Sequence, residues 1–319
     1  MSDYSSRHHK GSSYYISSVL LSILLWGGYA IFSQQTVSIG HFELPFLFVL
    51  LIVQVLMQTA ILRRYIPMPP QGDGLSAYLL VLFVSTNPVF YHLDISVVSS
   101  FFIAYSIFAL FYVYHTDYSA IAVSTSGFLI GVASVLWLPN ILFLPIWIWS
   151  LYTLRSFHLR SVLAMLVGVF AAWWMALPIF YFTDSWQILT HGMSDLVAIR
   201  PFWEELDLKN IIILSGFVMQ PIIMIFLMLW ALQSLKMDYW RLKMRVRSNM
   251  SCLMNIALIS VLLYIIMGRE SVPFLYSAAL PISILFAQAI SYLHKRHRVI
   301  ITNVLTIVMV ANYLLIFLL

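Results

Sequence analysis

From Tyr14 to the C-terminal Leu319, apolar runs of 15 to 25 residues follow one another with only short polar interruptions. That pattern leaves few ways to fold. In water, the buried core of a chain this size cannot hide so many long greasy segments. A bilayer accepts them, provided each segment bonds its own backbone as a helix. Composition agrees: 62% of residues are hydrophobic, 9% are charged, and the mean hydropathy is +0.92. A soluble domain carries about 25% charged residues. The expected class is therefore all-α, a polytopic helical membrane protein.

About 20 helical residues cross about 30 Å of hydrocarbon. On that ruler, spans fall near 14–33, 44–62, 76–91, 95–114, 120–138, 140–154, 161–182, 210–234, 249–268, 273–293 and 299–319. This gives about 11 transmembrane helices, with the third and sixth unusually short. Residues 1–13 read as a cytoplasmic N-terminal tail, and 14–319 as a single multi-pass domain with one long outer loop at 183–210. The first run is too long for a signal peptide and lacks a small-residue cleavage site, so it reads as an uncleaved span.

Lys and Arg set the orientation. With the N-terminus inside, fourteen cations lie in cytoplasmic segments, and only Arg200, Lys209 and Arg269 lie outside. Eight of the twelve acids fall outside, among them Glu43, Asp94 and Glu270. Insertion does not require that skew, which places the polar chemistry on the outer face. Helix breakers point the same way: Asn87-Pro88, Pro139-Asn140, Pro178 and Pro273 sit near the outer ends of their spans. A proline frees a carbonyl, and at membrane depth such a group needs protein or a wet cavity beside it. Pro221 and Pro281 lie deeper, where they kink their helices.

Several function classes are disfavoured. The net charge of +5 comes from short loops, where topology explains it, so no nucleic acid is expected as a partner. The inner loop from Lys236 to Arg247 carries five cations around Tyr239 and Trp240, a pattern suited to anionic inner-leaflet lipids. The single cysteine, Cys252, lies in an apolar run and cannot form a disulfide within one chain. No metal-ligand spacing, phosphate loop or nucleophile elbow is present. No cofactor is expected, and a divalent metal would have no motif to hold it. The spans carry no Asp, Glu, Lys, Arg or His near mid-depth, which disfavours ion-driven transport.

Two stretches carry a resemblance. Gly127–Phe182 reads GFLIGVASVLWLPNILFLPIWIWSLYTLRSFHLRSVLAMLVGVFAAWWMALPIFYF, and Gly268–Leu293 reads GRESVPFLYSAALPISILFAQAISYL. Both resemble segments of glycosyltransferase-C-type membrane enzymes, which use polyprenyl-phosphate-linked sugars. A bacterial multi-pass inner-membrane family with that architecture is the closer likeness. The resemblance implies a catalytic acid in the first outer loop, where Glu43 is the only acid offered; Asp94 in the next outer loop is the second candidate. It also implies a phosphate-binding cation at Arg269, ahead of a late span bearing Tyr276 and Pro281. The first outer loop, about ten residues long, departs from the family pattern: it lacks room for interfacial helices and has no paired acids. Three functions stay open: a sugar transferase, a non-catalytic membrane subunit of an envelope complex, and a lipid-carrier flippase. The expected partners are membrane lipids, a polyprenyl phosphate carrier among them, and protein subunits.

Overall fold

The structure, a computed structural model, describes residues 2–33, 43–66, 68, 72–91, 94–114, 119–183, 187, 192–194, 196, 211–238, 243–268 and 271–318. Helix accounts for 91% of it, and no strand occurs among the described residues. In chain order the helices are α1 (Ser2–Ser33), α2 (Glu43–Tyr65), α3 (Gly72–Ser85), α4 (Ile95–Phe111), α5 (Ser119–Leu136) and α6 (Leu144–Thr153). Then come α7 (Leu159–Phe182), α8 (Ile211–Asp238), α9 (Met244–Met267), α10 (Val272–Ser291) and α11 (Lys295–Leu318). Short 3-10 turns occupy Pro88–Tyr91 and Leu138–Phe143.

Among the described residues, α2, α7, α9, α10 and the first 20 residues of α11 are long and apolar enough to cross a membrane, consistent with a membrane protein. Burial separates their roles. The apolar window of α10 is entirely buried within the protein, whereas that of α7 is only 28% buried. Leu163, Val167, Phe170, Trp174 and Tyr181 form one exposed face of α7 at helical spacing. Water would penalise that face, and hydrocarbon would not.

The third and sixth apolar segments are shorter as helices than the expected spans. At 14 and 10 residues, α3 and α6 reach only about 21 and 15 Å. Asn87-Pro88 ends α3 and Pro139-Asn140 delays α6, each diverting the chain into a 3-10 turn. Nearly every residue of α3 is buried, so protein rather than lipid surrounds this short helix. At the N-terminal end α1 begins at Ser2, so the helix extends ahead of its apolar stretch Tyr14–Tyr29.

The chain divides into two compact units. Unit 1 comprises Met1–Leu93, Leu206–Leu242 and Ala279–Leu319. Within it, side chains bond across helices: Trp26 Nε1 to Ser85 Oγ at 2.9 Å, Gln58 Nε2 to Ser283 Oγ at 2.9 Å, and Tyr78 to Thr306 at 2.7 Å. The break in α3 is repaired from a distant helix. Asn87 N bonds back to Val84 O instead of Phe83 O, and Gln220 Nε2 of α8 donates to Phe83 O at 2.7 Å. A carbonyl freed in a low-dielectric interior thus recovers a donor.

Unit 2 comprises Asp94–Glu205 and Lys243–Ala278. Its centre is the crossing of α5 and α7, where glycines let the two backbones touch. A Cβ on Gly127 would stand 2.3 Å from Met165 O, and one on Gly168 2.2 Å from Ser124 O. Gly131 meets the Ala172 methyl across the same seam. This is small-residue packing at i, i+4 spacing on both helices, the arrangement that brings membrane helices closest. Polar links tie in α4 and α6: Trp147 Nε1 donates to Ser126 Oγ at 3.0 Å, and Ser126 Oγ donates to Ser106 O at 3.0 Å. Asn140, fully buried after the 3-10 turn begins, donates to Ser99 Oγ at 2.7 Å and to Ala133 O at 3.1 Å.

Candidate functional site

Of the three residues expected at a site, two are described. Glu43 is the first residue of α2 and partly exposed. The positive end of the helix macrodipole favours a carboxylate there. Proximity to the Tyr29 hydroxyl couples the two groups electrostatically. Tyr29 in turn stacks on Tyr91 at 4.2 Å between ring centroids, and Trp26 meets Tyr91 edge-on at 4.6 Å. Tyr313 approaches the same ring at 6.3 Å.

This aromatic cluster stands on the broken end of α3. Tyr91 donates its hydroxyl to Ser85 O at 2.5 Å, Trp26 donates to Ser85 Oγ, and Tyr313 donates to Leu25 O at 3.1 Å. Trp26, Tyr91 and Tyr313 are thus held by hydrogen bonds as well as by area. Glu43 is coupled to this cluster through Tyr29, and the rings come from α1, the 3-10 turn Pro88–Tyr91 and α11, all within unit 1.

Asp94 has a different occupation. It is the N-cap of α4: Oδ1 accepts from Ser96 N at 3.4 Å, and Oδ2 accepts from the Ser96 hydroxyl. It belongs to unit 2, whereas Glu43 belongs to unit 1. A capping residue has a testable signature. Asp94→Ala is expected to lower stability by about 1 kcal/mol, while Asp94→Ser, itself a good cap, keeps most of it. Thermal melts of the two variants in detergent check this; equal losses would deny the cap.

Arg269 and Glu270 lie outside the described residues, as do His92, most of the segment 183–210 and the centre of the segment 236–247. Tyr276 and Pro281 are described, both buried in α10. Among the described residues no three of His, Cys, Asp or Glu could together hold a metal ion. At the other end of α2, partial burial pushes the Asp73 carboxyl up from its ordinary value, and the Arg63 guanidinium pulls it the other way.

The structure adds residues that a search for ionisable groups passes over. Gln54 and Gln58 lie one turn apart on α2, fully buried, and Gln288 and Ser283 are fully buried on α10. Carboxamides at i, i+4 in an otherwise apolar run were the sequence signal for that polar stripe. Of these, Gln58 joins α2 to α10 through Ser283 without placing a charge in the interior. A scan against protein-family models, a search of curated proteins and a search of solved structures each found no match to this chain.

Proposed function

We propose that this chain is a multi-pass protein of the bacterial cytoplasmic membrane, with about eleven spans, an inside N-terminus and a glycosyltransferase-C-like architecture. In this reading its outer face takes a polyprenyl-phosphate-linked sugar. The observation that supports it is the placement of Glu43 at the start of α2, electrostatically coupled to Tyr29 of the aromatic cluster. A carboxylate so placed has the chemistry of a general base: it takes the proton from an acceptor hydroxyl as the acceptor oxygen bonds to the sugar's anomeric carbon. The bond from that carbon to the carrier phosphate breaks in the same step, and the electron pair leaves with the phosphate. Arg269 is assigned to that phosphate, because a guanidinium holds two of its oxygens at once and neutralises the developing charge.

A second reading has its own support. Asp94 is engaged in its own helix cap, so no second described outer acid is free to share the work of Glu43. That favours a non-catalytic subunit that binds a lipid-linked substrate within an envelope complex. Carrier binding is common to both readings and is tested first. Native mass spectrometry of the purified protein should show polyprenyl phosphate retained in preference to phosphatidylglycerol. Arg269→Ala should weaken that retention roughly ten- to hundredfold, the worth of a charge-assisted hydrogen-bonded pair. Equal retention of both lipids by both proteins would remove the carrier from the account.

A further inference from the structure

We propose that the corner between α6 and α7 is a binding site for the headgroup of an anionic phospholipid, with Arg155 and Arg160 on the phosphate and Tyr152 and Phe157 at the glycerol level. The starting observation is conformational. Arg155 has φ 58°, the only positive φ at a non-glycine position among the described residues. It closes α6 in the motif usually completed by glycine: Ser156 N bonds to Leu151 O at 3.0 Å and Arg155 N bonds to Tyr152 O at 3.0 Å. A side chain in that left-handed region is strained, and glycine would relieve the strain. An arginine kept there points to a use for its charge.

The surroundings say what the charge meets. Tyr152, Arg155, Phe157, His158 and Arg160 are all exposed, and Trp149 is 60% exposed one turn before Tyr152. The rings form a connected collar, with Trp149 to Tyr152 at 6.0 Å and Tyr152 to Phe157 at 6.4 Å. Exposed aromatics interleaved with cations match the headgroup layer of a bilayer, where the rings sit at the polar boundary and the cations meet phosphate. The corner is also anchored. Ser156 is buried and donates to Val113 O at 3.2 Å. The next residue, Tyr114, lies beneath the Arg245 guanidinium at 5.7 Å, which extends the cationic surface within unit 2. The stretch from Tyr118 to Thr183, which includes the corner, carries no acid, so its charges, Arg155 and Arg160, suit an anionic lipid.

The test uses two readouts that strain and lipid binding move in opposite directions. Phosphatidylglycerol and phosphatidylcholine are titrated into the purified full-length protein and followed by native mass spectrometry, and melting is followed in lipid-free detergent. Arg155→Gly should bind phosphatidylglycerol about fivefold more weakly, the worth of one cation near a charged surface. It should also melt at a higher temperature than wild type. Arg155→Gly with Arg160→Gln should weaken binding about twenty-five-fold, with phosphatidylcholine unaffected and Arg155→Lys close to wild type. Unchanged phosphatidylglycerol binding in the double variant would overturn the proposal. So would an equal loss for phosphatidylcholine, or displacement of the lipid by excess inorganic phosphate.

Discussion

Gly168→Val should abolish the folded protein. The Cβ it adds would stand 2.2 Å from the Ser124 carbonyl oxygen and 2.8 Å from the Phe128 nitrogen, both backbone atoms of α5. Backbone cannot swing away as a side-chain tip can, so α5 and α7 must separate along their length. That separation also opens the contacts of Gly127 with Met165 and Gly131 with Ala172, and strains the Trp173 Nε1 bond to Ser134 Oγ at 2.9 Å. Overpacking a tight core costs about 1–3 kcal/mol where the site can relax, and here three contacts on one seam resist relaxing together. Size-exclusion chromatography in detergent should show Gly168→Val and Gly127→Val as aggregates. Gly27→Ala and Gly28→Ala are the controls, with nothing within 4 Å of the added methyl. In a helix interior they should be neutral or gain up to about 1 kcal/mol each. Monodisperse Gly168→Val at the wild-type melting temperature would contradict the close packing of α5 on α7.

The helical class was legible because it rests on segment length and hydropathy, which are local. The expected segments at 120–138, 161–182 and 273–293 fall within a few residues of α5, α7 and α10. The breaks at Asn87-Pro88 and Pro139-Asn140 were visible as breakers, but what repairs them was not. Gln220 lies 137 residues from Phe83, and no local pattern joins them. The tight seam had a readable signal, Gly127 and Gly131 against Gly168 and Ala172, which hydropathy alone overlooks because glycine and alanine blend into an apolar run. Arg155 had no signal at all. A left-handed residue is normally announced by glycine, and only the backbone reveals that an arginine occupies one.

The candidate site was legible residue by residue but not as a site. Glu43 stood out as the only acid of its loop, yet Tyr29, to which it couples, belongs to a ring cluster with Tyr91 and Tyr313 drawn from three separate segments. Asp94 looked equivalent to Glu43 in sequence. In the structure Asp94 caps α4, and capping depends on its own extended backbone, φ −106° and ψ 143°, and not on residue type alone.

As the proposed general base, Glu43 would remove a proton during transfer from a polyprenyl-phosphate-linked sugar. Positioned general bases contribute about 10²–10⁴-fold in rate, so Glu43→Gln should lower turnover by that factor. It should leave the fold nearly intact, because the side chain is partly exposed and its interaction with the helix dipole is worth about 0.3–1 kcal/mol. The decisive measurement is sugar transfer by purified wild type and Glu43→Gln in lipid nanodiscs, with polyprenyl phosphate binding followed on the same samples. Turnover in wild type that falls at least a hundredfold in Glu43→Gln, with carrier binding unchanged, is the predicted result. Equal turnover in the two proteins, or carrier binding with no turnover in either, would contradict the claim and leave a carrier-binding subunit in its place.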